Sequence, residues 1–111
     1  MNKHFVTSLF FFGAVAFGLY SKILFFDFVW DDHSFLVSNP YLEPPQKVAA
    51  FFNNPLAFAP DLDAQIYRPI RNIFWYALVC LFGKNSFYFH GFQLLLHGLN
   101  SFLIYVFLRL I

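Results

Sequence analysis

Two long apolar runs, one near each end of the chain, constrain the fold more than any other feature. Residues 5–26 and residues 87–108 are predominantly apolar. Each run of about 22 residues makes about 33 Å of helix, enough to cross a hydrocarbon core of roughly 30 Å. The chain is 59% hydrophobic and only 12% charged, which favours a membrane protein over a soluble one. We therefore expect an all-α integral membrane protein.

The first apolar run also admits a second interpretation, as a secretory signal. Ala14, Val15 and Ala16 have the small-x-small form of a cleavage site. The apolar run, however, continues well beyond Ala16, which favours an uncleaved membrane-spanning helix. The expected location is the bacterial inner membrane or, in a eukaryote, the endoplasmic reticulum.

A shorter apolar run occupies residues 69–82. Pro69 stands where a helix favours proline, at its first position, and residues 83–86 form a polar turn signal. The run amounts to about 21 Å of helix, which predicts a short or tilted span. The sequence thus predicts three transmembrane helices, at 5–26, 69–83 and 87–108, in one partial transmembrane domain.

Residues 27–68 are expected to form a long extracytoplasmic loop. They hold all six acidic residues and repeated proline breakers. Residues 32–38 and 46–52 have helical spacing, with Pro45 at the start of the second segment. These aromatic, weakly charged segments favour short interfacial helices lying on the membrane; an ordinary loop with two Phe-rich turns is the alternative.

Two adjacent acids, Asp31 and Asp32, directly follow the first apolar run. Ionisable groups so close to a membrane are costly unless water, a metal or a basic partner satisfies them. Adjacent side chains on a helix diverge by about 100°, so one carboxylate can act as a general base or metal ligand while the other binds backbone amides or a cation. The pair is a predicted catalytic site with a possible divalent metal. The alternative is that the acids only end the helix in the headgroup region.

The cations before and within the second predicted span are candidates for binding a phosphate. Arg68 follows Tyr67 and precedes Arg71, and a guanidinium fork fits phosphate oxygens. A headgroup anchor explains Arg68 equally well. Asp61 and Asp63, earlier in the loop, are surface acids or a distant source of a metal ligand. The net charge of +1, without a basic run, speaks against nucleic acid as a partner.

The third predicted span carries a polar stripe. Five polar side chains fall within an arc of about 100° on the helix: His90, Gln93, His97, Asn100 and Ser101. In lipid such a stripe must face protein or a water-filled cavity. His97 either hydrogen-bonds a neighbouring helix or takes part in substrate binding.

Four motifs together resemble the N-terminal part of a membrane glycosyltransferase. They are F-V-W-D-D at 28–32, N-P-Y-L at 39–42, Y-R-P-I at 67–70 and F-H-x-x-Q-L-L-L-H at 89–97. Their order and spacing are similar to those of GT-C-type transferases, and above all to protein O-mannosyltransferase-related membrane proteins with tetratricopeptide repeats. The resemblance covers about residues 25–108.

The resemblance implies transfer of a sugar from a polyprenyl-phosphate carrier to an acceptor on the non-cytoplasmic side of the membrane. Asp31 and Asp32 match the acidic motif that activates the acceptor or holds a metal. Arg68 would lie near the lipid-linked phosphate, and His97 matches a recurrent histidine of unassigned role. The family has Asp-Glu in its more distant mannosyltransferases where this chain has Asp-Asp, which leaves open which carboxylate is the base.

Two features depart from the resemblance. Such enzymes have about ten or more spans, so we expect this chain to be a fragment that is inactive without the missing spans or a partner subunit. A loop outside the membrane also leaves most of the basic residues outside, against the positive-inside rule: Lys22, Lys47, Arg68, Arg71 and Arg109. The alternatives to an enzyme are a small membrane subunit that packs through the polar stripe, or a remnant without function.

Overall fold

The computed structural model describes residues 2–57 and 67–111, and within them every regular element is helical. The principal helices are α1 (Lys3–Tyr20), α2 (Ala50–Asn53), α3 (Pro69–Phe82) and α4 (Ser86–Leu110). Shorter helical segments cover Ser21–Phe25, His33–Val37, Pro40–Leu42 and Pro55–Ala57. The chain divides into two compact units, the helix pair (Met1–Phe26 with Phe87–Ile111) and the inserted unit (Asp27–Ser86).

Two helical stretches are long and apolar enough to cross a membrane. They are Lys3–Phe25, with 23 residues, and Ser86–Leu110, with 25 residues. In their most apolar parts 6% and 17% of the residues are buried. Within the described residues the predicted all-α class is confirmed, and two of the three predicted spans coincide with candidate membrane-spanning helices. α3, with 14 residues, is shorter than a full span.

α1 and α4 pack in opposite directions. The rings of Phe5 and Phe102 meet edge to face at 4.8 Å, and those of Phe25 and Phe87 at 6.3 Å. The beginning of α1 therefore contacts the later part of α4, and the segment after α1 contacts the beginning of α4. The chain leaves the helix pair and returns to it at the same end.

A glycine permits the close approach of α1 and α4. A Cβ added at Gly98 would lie 3.4 Å from the Cα of Gly13 and 3.6 Å from the Cβ of Ala16. Gly98 and Ala16 are both buried. Small residues at such a contact let two backbones pack closely where lipid supplies no hydrophobic drive for association.

The inserted unit has its own core. Leu36, Leu42, Phe51 and Ala57 are fully or almost fully buried. Because these residues come from short turns rather than long helices, many of their neighbouring backbone groups have no partner within a regular element. Side chains must therefore supply the hydrogen bonds.

One predicted loop helix was placed wrongly. α2 begins at Ala50 and not at Pro45. The physical reason lies in α3, because the hydroxyl of Tyr76 accepts a hydrogen bond from the Gln46 N–H at 2.9 Å and donates to the Gln46 carbonyl at 3.3 Å. The other predicted segment does contain a helical turn, His33–Val37.

Candidate functional site

The acidic pair lies in a hydrogen-bonded turn on the surface of the inserted unit. Trp30 has a φ of 46°, a left-handed conformation that is rare for a bulky residue. The N–H of Asp32 donates to the Val29 carbonyl and that of His33 to the Trp30 carbonyl, both at 3.0 Å. These bonds hold the strained turn that presents the two carboxylates.

The two carboxylates differ in their surroundings. Asp31 is exposed, whereas Asp32 is half-buried. The Oδ2 atom of Asp32 lies 3.5 Å from the Val29 N–H, at the outer limit of a hydrogen bond. Asp32 thus faces its own backbone, and Asp31 is the carboxylate open to a ligand.

Asn39, from the N-P-Y-L motif, anchors the helical turn that follows the acids. Its side chain is fully buried, and its Nδ2 donates to the carbonyls of Phe35 at 3.1 Å and Ala57 at 3.0 Å. Its Oδ1 accepts the Tyr41 N–H at 3.0 Å. One buried amide therefore satisfies three backbone groups from two distant segments.

Asn72 connects α3 to the carbonyl of Ala57, which Asn39 also contacts. It is also fully buried, and its Nδ2 donates to the Ala57 carbonyl at 2.7 Å. Its Oδ1 accepts from the Nε and Nη2 atoms of Arg71 at 3.2 and 3.1 Å. The segments that carry the acids and the Y-R-P-I motif are thus joined by a shared buried polar network: Asn39, Ala57, Asn72 and Arg71.

Arg71 is held within the inserted unit. Its guanidinium carbon lies 5.1 Å from the ring centroid of Phe35 and 4.5 Å from that of Trp75. Burial, and then the nearby charge of Arg68, lower the pKa of Arg71 from its ordinary value, but an arginine remains charged at physiological pH. These contacts give Arg71 a structural role.

Tyr67 and Arg68 lie immediately before α3, and both side chains are exposed. The carbonyl of Arg68 accepts the N–H of Asn72 at 3.2 Å, which fixes the backbone at the helix start. Arg68 is therefore the open cation of the Y-R-P-I motif. The contact between Phe35 and Arg71 joins the two segments that carry Asp31 and Arg68.

His97 lies in the helix pair, outside the inserted unit. Its side chain is exposed, and its ring meets that of Tyr20 edge to face at 5.4 Å. Gln93 and Asn100 of the polar stripe are exposed as well. The predicted site residues are thus divided between two units, with the acids, Tyr67 and both arginines in one and His97 in the other.

No residue group within 2–57 and 67–111 brings together three or more side chains of the types that hold a metal ion. Asp61 and Asp63, predicted as a distant source of a metal ligand, lie outside the described residues. A metal-binding role for Asp31 or Asp32 therefore stays a prediction.

Two residues with important contacts, Asn72 and Lys84, were not singled out from the sequence, and Asn39 was named only as part of the N-P-Y-L motif. The signal for Asn72 is an amide in an otherwise apolar helix, which must find a partner when buried. Lys84, in the turn after α3, donates to the Val37 carbonyl at 2.7 Å and to Glu43 Oε1 at 3.0 Å. No periodicity in the sequence predicts these partners.

Comparison with known proteins adds no family to this description. No protein-family model, curated protein or solved structure matches the chain.

Proposed function

We propose that the chain is the acceptor-activating part of a membrane glycosyltransferase that takes its sugar from a polyprenyl-phosphate donor. One observation carries the proposal. The exposed turn with Asp31 and the segment with Arg68 are built onto one buried network, through Asn39 and Asn72. A base and a phosphate-binding cation presented by one rigid unit are what such a transfer requires.

The proposed reaction is a single displacement at the anomeric carbon of the sugar. The Asp31 carboxylate takes the proton of an acceptor hydroxyl, whose oxygen forms a bond to that carbon. The bond between the carbon and the phosphate oxygen breaks, and its electron pair leaves with the polyprenyl phosphate. The Arg68 guanidinium stabilises the charge on the departing phosphate.

Other residues support these two groups. Asp32 positions the turn through the Val29 N–H, and Arg71 stiffens the start of α3 through Asn72. Tyr67, exposed beside Arg68, contacts the donor. His97 belongs to the helix pair, and we assign it to the part of the donor that lies in the membrane.

We further propose two membrane crossings, by Lys3–Phe25 and Ser86–Leu110, with the inserted unit on the extracytoplasmic side. The antiparallel packing of α1 and α4 supports an even number of crossings, because a third crossing by α3 would make them parallel. Arg68, Arg71 and Lys84 lie within about 20 residues of the second crossing, where the positive-inside rule counts them against this orientation, and the resemblance to GT-C-type transferases is what supports it. Further membrane helices complete the donor groove.

The reaction is tested in membranes from the source cells, which contain the native assembly. A radiolabelled polyprenyl-phosphate hexose is supplied, and both label transfer and released polyprenyl phosphate are measured. Asp31→Asn is expected to lower transfer at least about 100-fold, since a positioned base contributes 10²- to 10⁴-fold. Arg68→Gln is expected to raise the KM for the donor.

Asp27→Asn is the matched control because it removes the same charge outside the pair. The Asp27 carboxylate accepts the Phe28 N–H at 2.8 Å, a local contact that an amide oxygen also makes. Transfer should remain near the natural rate in this variant. Unchanged turnover in both Asp31→Asn and Asp32→Asn, at equal protein in the membrane, would remove the carboxylates from the mechanism.

A second candidate function is that of a non-enzymatic membrane subunit. The exposed side chains of Gln93, His97 and Asn100 on the apolar helix α4 favour it, because polar groups in lipid seek a protein partner. Gln93→Leu with Asn100→Leu should then release the chain from its complex in detergent extracts. Loss of association with transfer unaffected would favour this candidate over the enzyme.

A further inference from the structure

One side of α3 carries an exposed apolar stripe. Ile70, Phe74 and Leu81 are 60%, 52% and 72% exposed, and Ala77 is exposed as well. Their spacings of four, three and four residues place them within an arc of about 60° on a helix with 100° per residue. Three large apolar side chains in one row form a patch that water does not favour.

The opposite side of α3 packs within the inserted unit. Asn72 and Val79 are buried there, and Tyr76 is half-buried against Phe51, with ring centroids 5.7 Å apart. The helix is thus divided lengthwise into a packed side and an apolar exposed side. This is the pattern of a helix that lies along a boundary.

Three contacts hold α3 to the rest of the inserted unit along its whole length. Lys84, beyond its C-terminal end, bonds the carbonyl of Val37. Tyr76 bonds the backbone of Gln46, and Asn72, near the N-terminal end, bonds the carbonyl of Ala57. Residues 37–57 therefore accompany the helix from one end to the other.

These contacts are incompatible with α3 crossing a bilayer while the loop stays on one side. A crossing would carry the irregular, polar segment around Asn39 and Gln46 through the hydrocarbon, where unsatisfied backbone groups are costly. The helix is also only about 21 Å long, against a core of roughly 30 Å.

We infer that α3 lies in the plane of the membrane interface, with the stripe of Ile70, Phe74, Ala77 and Leu81 in contact with lipid. Lipid is the favoured occupant because the inserted unit is joined directly, at residues 26 and 87, to the two stretches that are long enough to span a membrane. An apolar face held beside a bilayer sinks about 5–10 Å into the boundary between headgroups and acyl chains. The inference holds whether or not the chain is a transferase.

The inference is tested by measuring the depth of single labels. In a Cys80→Ser background, the variants Ile70→Cys, Phe74→Cys and Leu81→Cys are each labelled with a polarity-sensitive fluorophore. The protein is reconstituted in phosphatidylcholine vesicles with a nitroxide either near the headgroup or near the end of the acyl chain. The shallow nitroxide should quench all three labels at least about twofold more strongly than the deep nitroxide does, as expected for a helix at the interface.

The label at Leu95→Cys provides the matched control. Leu95 is 74% exposed and lies near the middle of α4, so the deep nitroxide should quench it most. A label depth that rises or falls steadily from position 70 through 74 to 81 would show that α3 crosses the membrane, and would overturn the inference. Labels at all three positions that neither nitroxide quenches would also overturn it, by showing that water or protein covers the stripe.

Discussion

The two units of this chain solve the problem of backbone hydrogen bonding in opposite ways. In the helix pair, long helices satisfy their own backbone, and the contacts between them include aromatic rings and small residues, such as Gly98 against Gly13. In the inserted unit, short turns leave carbonyls without helical partners, and the fully buried side chains of Asn39 and Asn72 satisfy them.

This difference follows from the length of the helices in each unit. A long helix satisfies its backbone within its own segment, as a lipid core would require, so few polar side chains are needed for that purpose between α1 and α4. A unit of short turns has fewer such bonds and must bury polar side chains at defined positions. Substitutions that exploit this contrast should damage one unit and leave the other unchanged.

The largest expected effect concerns the buried amide in the inserted unit. Asn39→Ala removes the hydrogen bonds of the Phe35 carbonyl, the Ala57 carbonyl and the Tyr41 N–H to this side chain. The substitution should therefore lower the free energy of unfolding by about 3 kcal/mol. Urea unfolding followed by tryptophan fluorescence measures it, since the only tryptophans, Trp30 and Trp75, lie in this unit. Asn53→Ala, at an exposed amide, is the control and should change little. Equal stability of the two variants would contradict the proposed network.

The corresponding test of the helix pair is steric. Gly98→Ile forces a branched side chain against α1 and should destabilise the pair by about 1–3 kcal/mol. Cysteines at positions 5 and 102, where the rings of Phe5 and Phe102 meet, report the pairing through disulfide formation in a Cys80→Ser background. Gly18→Ile is the control, because an added Cβ there meets nothing within 4 Å, and it should leave the yield of the disulfide unchanged. A yield unaffected by Gly98→Ile would argue against close packing.

The turn after α3 offers the last comparison, and its ion pair gives the smallest expected effect. Lys84→Met removes the hydrogen bond to the Val37 carbonyl and should cost about 2 kcal/mol, as bonds from charged donors do. Glu43→Gln weakens only an ion pair whose acid is 64% exposed, and should cost less than about 1 kcal/mol. Lys47→Met, at an exposed lysine, is the control. If both Lys84→Met and Lys47→Met are neutral in the same tryptophan assay, Lys84 does not hold the loop to α3.

Much of the helix content was predictable from the sequence. The apolar run at 87–108 became Ser86–Leu110, and Pro69 begins α3 as its position predicts. The start of α2 was not predictable, because the Tyr76 hydroxyl, 30 residues away from Gln46, engages the backbone where a helix was expected. The candidate site shows the same limit: Arg68 and Arg71 look alike in the sequence, and only their contacts separate the exposed cation from the held one.

The sequence by itself determined the two long helices. An apolar run of this length makes its backbone hydrogen bonds within its own segment as a helix, independently of where the rest of the chain lies. It also determined that Asp31 and Asp32 follow the first of these helices. The tertiary structure decided the antiparallel direction of α1 and α4, the packed side of α3 and the partners of Asn39 and Asn72. These features depend on which groups meet across dozens of residues. Packing of rings and small residues selects the direction of the helix pair, and hydrogen-bond geometry selects the partners of the two amides.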